Sequence, residues 1–243
     1  MILMFTDFGL AGPYLGEMEA VLVREAPEVP RVRLMADAPA FAPRPAAYLL
    51  AALAARFAPG DVCLAVVDPG VGGERLPLAL EADGRWFVGP DNGLFELVMR
   101  RAAQVRGFAI DWRPPELSAS FHGRDLFAPV AARLARGEQR DLRPAAPTRF
   151  PDWPDDWAAI VYVDGYGNAM TGLRAERLAA DTLLEAGGRR IARAHTFEAV
   201  PAGTAFWYAN SAGLVEIAIN RGNAAGELGL AVGTPVVVHR TGG

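Results

Sequence analysis

The chain contains no lysine: all 24 of its basic residues are arginine. Chemistry that depends on a lysine amine is thereby excluded, including Schiff-base formation, the P-loop grip on phosphate and the strand lysine of protein kinases. Asp7-Phe8-Gly9 is consequently not a kinase metal motif. Cysteine is almost as scarce. Cys63 stands alone, which rules out an intramolecular disulfide and a cysteine-rich zinc site, and its place in an apolar run suits a small core residue. No apolar run approaches the roughly 18 residues of a membrane span. The opening Met-Ile-Leu-Met-Phe lacks the length and basic leader of a signal peptide. A cytoplasmic location without a membrane partner is therefore expected. Basic residues form no block and the formal net charge is −4, so no nucleic-acid partner is expected either. His-Glu-x-x-His spacing is missing, and no metal centre is signalled.

What is present is ample material for a core. Of 243 residues, 51% are apolar, enough for one large domain or two modest ones. Periodicity predicts a strand over 2–6, a helix over 14–25, a strand over 31–35 and an Ala/Leu-rich helix to about residue 57, closed by Pro59-Gly60. Residues 62–67 form a continuous apolar run, as expected for a strand covered on both faces. Further strands are predicted over 76–80 and 85–88, a helix from 95, and another along the stripe Leu126, Phe127, Val130, Ala131 and Leu134. Repeated strand-then-helix order predicts an α/β N-terminal domain over 1–140 with a mainly parallel layered sheet. The proline-broken stretch 141–157 reads as a linker. Six short strands, at 158–163, 182–185, 190–200, 205–209, 215–219 and 235–239, predict a smaller all-β barrel-like domain over 158–243.

Chemistry concentrates where strands end. Asp7 follows the first strand, the usual ligand edge of an open α/β sheet, where a carboxylate either holds both hydroxyls of a ribose or caps the next helix. Asp68-Pro69-Gly70 follows the central strand; it is good turn chemistry, but Arg75 lies where a compact Val-Gly-Gly loop folds back toward the carboxylate. Pro90-Asp91-Asn92-Gly93 scans as an ordinary turn. Phe121-His122-Gly123-Arg124-Asp125 gathers three ionisable side chains at a helix start, where neither His nor Arg is demanded by helix formation. Arg124 and Asp125 equally fit a mutual pair that fixes the loop. His195 and His239 lie in strand-like surroundings and read as structural. Asp164-Gly-Tyr-Gly-Asn168 is a turn whose glycines allow close approach of backbone to a ligand, and Asn210-Ser211-Ala212-Gly213 is a turn without an acid–base partner nearby in sequence.

In this order, the segments resemble the S-adenosylmethionine (SAM) hydroxide adenosyltransferases, the adenosine-forming SAM hydrolases related to the fluorinase and chlorinase. The matching words are Thr6 to Gly9, Val67 to Gly72, Gly89 to Gly93, Phe121 to Pro129, Asp164 to Asn168 and Asn210 to Gly213, followed by Glu216-Ile217-Ala218. The resemblance implies hydrolysis of SAM to adenosine and methionine, with no cofactor, in a homotrimer whose sites lie between one subunit's N-terminal domain and a neighbour's C-terminal domain. It implies that Asp68, Arg75 and His122 form the triad associated with water use, which halide-using relatives lack. Asp7 is then the ribose ligand, Asn168 and backbone near Asn220 and Arg221 read adenine, and Asp164 and Ser211 hold the methionine amine and carboxylate. The chain departs from the pattern at Arg33-Leu34-Met35-Ala36-Asp37, which lacks a usual His, at Gly73 in place of a frequent Thr, and at Tyr166 in place of Phe.

The chemistry these residues support is attack of water at C5′, in line with a departing neutral thioether, so no general acid is needed. Arg75 makes Asp68 a poor base yet lets the pair orient water, while His122 accepts or relays a proton. Two other readings compete: a SAM- or adenosine-binding protein without turnover, and a metal-dependent hydrolase built on Asp7, Asp68, Asp91 and His122.

Overall fold

Ile2–Thr6 (β1) and Val62–Val66 (β3) are buried along their whole length, in keeping with sequences that are apolar throughout except for Thr6, as expected of strands covered on both faces. The computed structural model describes residues 1–239, and the chain divides into two compact units, Met1–Phe150 and a second beginning at Pro151. In the first, β1 lies between β2 (Arg31–Met35) and β3, parallel to both, and β3 is parallel to β5 (Arg85–Pro90).

The mainly parallel sheet expected from the strand–helix alternation does not form. β4 (Pro77–Ala82) runs antiparallel to β5 and to β6 (Val105–Ile110), and β7 (Leu142–Pro144) is antiparallel to β6. The result is a mixed sheet of order β2-β1-β3-β5-β4-β6-β7. The cause is local: Asp83 and Gly84 have φ of 49° and 76°, the left-handed pair of a two-residue hairpin, and a hairpin can only join antiparallel neighbours.

Helices cover this sheet. α1 (Tyr14–Glu25) packs on α4 (Ala128–Ala135), and α2 (Pro43–Ala54) on α3 (Glu96–Arg101). α2 begins with Pro43 and Pro45, where a missing N–H costs no helical bond. Met18 and Leu22 of α1 and Val130 and Leu134 of α4 share a core with Met4, Leu64, Val66 and Val88 of the strands. A wide helical turn, Gly123–Phe127, leads into α4. β7 falls inside the stretch expected as a linker, and Thr148, Arg149 and Phe150 bond to Asp91 and Glu96, so the first half of that stretch is structured against the first unit. The feature that matters for chemistry is register. β1 and β3 pair from Ile2↔Val62 to Thr6↔Val66, so the residues just beyond them, Asp7 and Asp68, leave the sheet at the same edge.

The second unit holds β8 (Trp157–Val163), β9 (Ala169–Arg174), β10 (Leu183–Ala186), β11 (Arg189–Arg193), β12 (Ala205–Ala209), β13 (Leu214–Ile219) and β14 (Val237–His239), in the order β14-β10-β11-β12-β13-β9-β8. This sheet too is mixed, because β11 and β12 are parallel. It curls: Ala159 of β8 bridges Pro235, just before β14, so the two edges meet. Three details differ from expectation. β9 was not among the six expected strands, the expected strand 190–200 ends early and gives way to a helical turn Phe197–Ala199, and a short α5 (Ala224–Leu228) interrupts the all-β pattern. His239 pairs with Glu185 across β14 and β10 at 2.9 Å, in keeping with a structural role.

Glu96 generates a stability prediction. Its fully buried carboxylate accepts from Arg100 Nε at 2.7 Å, Arg149 Nε at 3.0 Å and the Phe150 N–H at 3.2 Å. Glu96→Ala removes the shared acceptor and is expected to cost about 3 kcal/mol, read from urea denaturation. A loss under about 1 kcal/mol would show that the network is not what ties Arg149 and Phe150 to α3.

Candidate active site

Arg75 joins the other two members of the expected triad. Its Nε lies 3.0 Å from both Asp68 Oδ1 and Oδ2, its Nη2 donates to Asp68 Oδ2, and the same Nη2 lies 2.9 Å from His122 Nδ1. The ion pair is withdrawn from solvent, with side-chain exposures of 10% for Arg75 and 4% for Asp68. Beneath it, the guanidinium rests over the Phe127 ring at 5.3 Å, and the His122 ring meets the same phenyl edge-on at 6.4 Å. Arginine has no acceptor, so Nη2–H donates and Nδ1 accepts, which leaves the proton of a neutral His122 on Nε2.

Three loops bring these side chains together, and each is locked locally. Gly72 has φ +78°, and a Cβ there would stand 2.4 Å from the Ala119 carbonyl oxygen. The loop from Asp68 to Arg75 and the one before His122 therefore touch backbone to backbone where only glycine fits. Asn92, read from sequence as part of an ordinary turn, donates its amide to the Val67 carbonyl at 2.9 Å and accepts from the Leu94 N–H at 3.3 Å. It thus holds the peptide immediately before Asp68. Arg124 pairs with Asp125 and with Glu17 on α1, and Asp125 accepts the Ser118 N–H at 3.0 Å. Of the two readings of Arg124 and Asp125, the geometry selects the one that fixes the loop.

A cavity of about 340 Å³ opens beside the triad, lined by Asp7, Asp68, His122 and an aromatic wall of Phe8, Tyr14 and Phe121. Those three rings meet one another at 5.4 to 6.1 Å between centroids. The size and the mix of apolar wall and few convergent polar groups suit a small-molecule ligand. Asp7 Oδ2 accepts the Phe41 N–H at 2.9 Å, and Phe41, at φ 56° and 79% exposed, stands at the rim. Sequence reading missed Phe41 and Asn92, since neither residue type signals chemistry in a loop. Asp91 points elsewhere: its carboxylate accepts the Thr148 N–H at 3.1 Å and the Thr148 hydroxyl at 2.8 Å. Among the described residues, no three His, Cys, Asp or Glu side chains are grouped to hold a metal ion.

Burial governs the electrostatics. It raises the Asp7 carboxyl above its ordinary value; the Phe41 and Asp7 backbone N–H groups partly offset this, and the charge of Asp68 adds to the rise. His122 is lowered by burial first and then by Arg75, with a smaller push from Arg113, against the opposing influence of Asp68 and Asp125. Near neutral pH the ring is therefore uncharged, as its contact with Arg75 requires.

The remaining expected site residues lie in the second unit. Asp164 Oδ1 accepts the N–H groups of Tyr166 and Asn168, both at 2.9 Å, and Oδ2 accepts Asn168 Nδ2 at 3.0 Å. The pair thus forms one rigid turn, packed at Gly167 against Asn223, where a Cβ would lie 2.2 Å from Asn223 Oδ1. Ser211 is carried by the turn after β12. Asn220 donates to the Val200 carbonyl at 2.7 Å, and with Arg221 and Phe197 it lines a cavity of about 420 Å³.

Ionisable side chains gathered beside a ligand-sized cavity suit an enzyme acting on a small molecule. The chain belongs to the SAM hydroxide adenosyltransferase family: residues 2–142 match its N-terminal domain and residues 158–237 its C-terminal domain. It is 41% identical to a protein named (R)-S-adenosyl-L-methionine hydrolase from Thermus thermophilus, over 95% of this chain and 96% of that one. A protein of the same name from Salinispora arenicola is 36% identical over 94% and 93%. The crystal structure of an uncharacterized conserved protein from Thermotoga maritima superposes with a TM-score of 0.89 at 28% identity, covering 99% of this chain and 100% of the other.

Two expectations follow from the geometry. Gly72→Ala must part the two loops at Ala119, and a displacement near 1 Å at reacting groups costs about 100-fold in rate. Steady-state kinetics on the folded variant should show a fall of that order in kcat/KM, and a parental value would mean that the loop contact does not set the triad. The second concerns pH. Protonating His122 sets a cation against Arg75, so activity belongs to the neutral ring, present above its pKa and lost as pH falls through it. Because that pKa is depressed, the acid limb of kcat/KM should lie below the ordinary imidazole value of 6.5; a limb above it would contradict the assignment.

Proposed function

We propose that this chain hydrolyses SAM to adenosine and methionine by attack of water at ribose C5′. The observation that carries the reading is the Asp68–Arg75–His122 arrangement beside a cavity that also holds Asp7, in a chain of this family. Asp7 accepts the ribose hydroxyls and sets the sugar against the triad. Water lies against Asp68, held in orientation by a carboxylate that Arg75 fixes through both of its oxygens. As the water oxygen bonds to C5′, the C5′–S bond breaks and its electron pair stays on sulfur, so methionine leaves as a neutral thioether. The attacking water gives up its proton to solvent as the C5′–O bond forms, its hydrogen bond to Asp68 orienting it rather than deprotonating it. With Nδ1 facing Arg75 and its own proton on Nε2, a neutral His122 has no free lone pair, so in this reading it buttresses the guanidinium in place of the proton-accepting or relaying role expected from the sequence. The Asp7 and Asp68 carboxylates and the aromatic wall also favour the cationic sulfonium over neutral analogues. No step draws on a cofactor.

In the second unit, Asp164 and Ser211 receive the methionine amine and carboxylate, and Asn168 with the Asn220–Arg221 backbone reads adenine. A homotrimer in which a neighbour's second unit completes each site is part of this reading. It is supported by Phe41 and Tyr14, which expose 79% and 52% of themselves at the cavity rim. No helix among the described residues is long and apolar enough to cross a membrane, and the reading is completed by a cytoplasmic location without a nucleic-acid partner. The curated relatives carry the (R) designation, and the same sulfonium epimer is the proposed substrate here.

The test is incubation of purified protein with separated (R) and (S) epimers of SAM in ¹⁸O-water, followed by chromatography and mass spectrometry. Adenosine carrying one ¹⁸O, formed faster from the (R) epimer and reduced about 100-fold or more in His122→Ala, is the expected result. Saturable binding without adenosine would overturn the proposal, and loss of activity to a chelator would favour the metal-dependent alternative.

A further inference from the structure

Glu216 is a charged group that the proposed chemistry leaves without a task. It lies on β13 in the second unit and is only 2% exposed, a costly position for a carboxylate unless both oxygens are satisfied. They are, and by two different elements. Oε1 accepts the Tyr208 hydroxyl at 2.5 Å, directly across the β12–β13 ladder. Oε2 accepts Asn210 Nδ2 at 2.8 Å.

Each partner leads to a different place. Asn210 Oδ1 accepts the N–H groups of Ala212 and Leu214, both at 3.0 Å, which closes the turn that carries Ser211. The amide cannot rotate to seek another partner without releasing that turn. Tyr208 meets Phe197 edge-on at 5.5 Å, and Phe197 forms the wall of the cavity that Asn220 and Arg221 line. Burial and the charge of Glu216 hold the Tyr208 phenol well above its ordinary value, so it remains a donor throughout the working range.

We infer that Glu216 is a positioning residue for substrate, fixing through Asn210 the turn that presents Ser211 and through Tyr208 the aromatic wall beside Asn220 and Arg221. One buried carboxylate thereby sets both ends of the ligand surface in this unit. The inference rests on the reading of Ser211 as a methionine contact and of Asn220 and Arg221 as adenine contacts.

Kinetics of Glu216→Leu and Glu216→Gln with SAM test it, with urea denaturation run alongside. Leucine removes both acceptors at similar size. Glutamine replaces them, offering its carbonyl to Asn210 and its amide N–H to the Tyr208 oxygen, which accepts as well as donates. Glu216→Leu should raise KM about ten-fold or more with kcat within about three-fold of the parent, and Glu216→Gln should stay near the parent in both. A lower denaturation midpoint with unchanged KM, a fall in kcat alone, or equal damage from Gln and Leu would each overturn the inference. Should Glu216→Leu fail to fold, Asn210→Ala reads the methionine arm: inhibition by L-methionine should weaken about five-fold while inhibition by adenosine holds, and unchanged methionine inhibition would overturn it. Ser211→Ala separates the two levels. A parental KM there removes the reading of Ser211 and the inference with it, whereas a raised KM beside a parental value in Glu216→Leu removes the inference alone.

Discussion

One guanidinium holds the site together. Arg75 neutralises a carboxylate at the end of a buried strand and simultaneously donates to an imidazole from a loop far along the chain. Burying Asp68 or Arg75 singly would be strongly unfavourable, and the pair tolerates burial because Nε and Nη2 of the guanidinium reach both carboxylate oxygens. The same matching dictates the state of His122. A guanidinium can only donate, so the ring must accept, and burial together with the nearby cations keeps it neutral. The proposed roles rest on this constraint, with Asp68 toward the attacking water and His122 supporting the arginine.

Backbone geometry supplies the precision that the side chains need. Parallel register places Asp7 and Asp68 at one sheet edge, Asn92 fixes the peptide before Asp68, and the contact at Gly72 sets the distance between the loops bearing Arg75 and His122. In the second unit the same strategy recurs in polar form, with Asp164 bonded into its own turn and Glu216 bonded to two elements at once.

Much of this was legible in the sequence. Continuous apolar runs marked β1 and β3, helical spacing marked α1 and α4, and the strand-end carboxylates Asp7 and Asp68 stood out by position. What escaped was non-local. The mainly parallel sheet was an error with a visible remedy, since Asp83-Gly84 between two apolar runs is a hairpin signal that fixes β4 antiparallel to β5. β9 was missed because Ala169–Arg174 mixes Thr, Gly and Met and has no sustained alternation. Asn92 and Phe41 were hidden for another reason: a loop amide or phenyl gains its role only from what the fold sets opposite, here the Val67 carbonyl and the Asp7 carboxylate.

The proposed chemistry depends on the direction of the hydrogen bond between Arg75 and His122, and nitrogen-15 NMR of histidine-labelled protein near neutral pH reads it directly. The chain has three histidines, and a His122→Gln sample identifies the relevant signals by subtraction. The arrangement requires that Nδ1 of His122 show the shift of an unprotonated, hydrogen-bonded nitrogen and Nε2 that of a protonated one. A proton on Nδ1, in either a neutral or a charged ring, would contradict it.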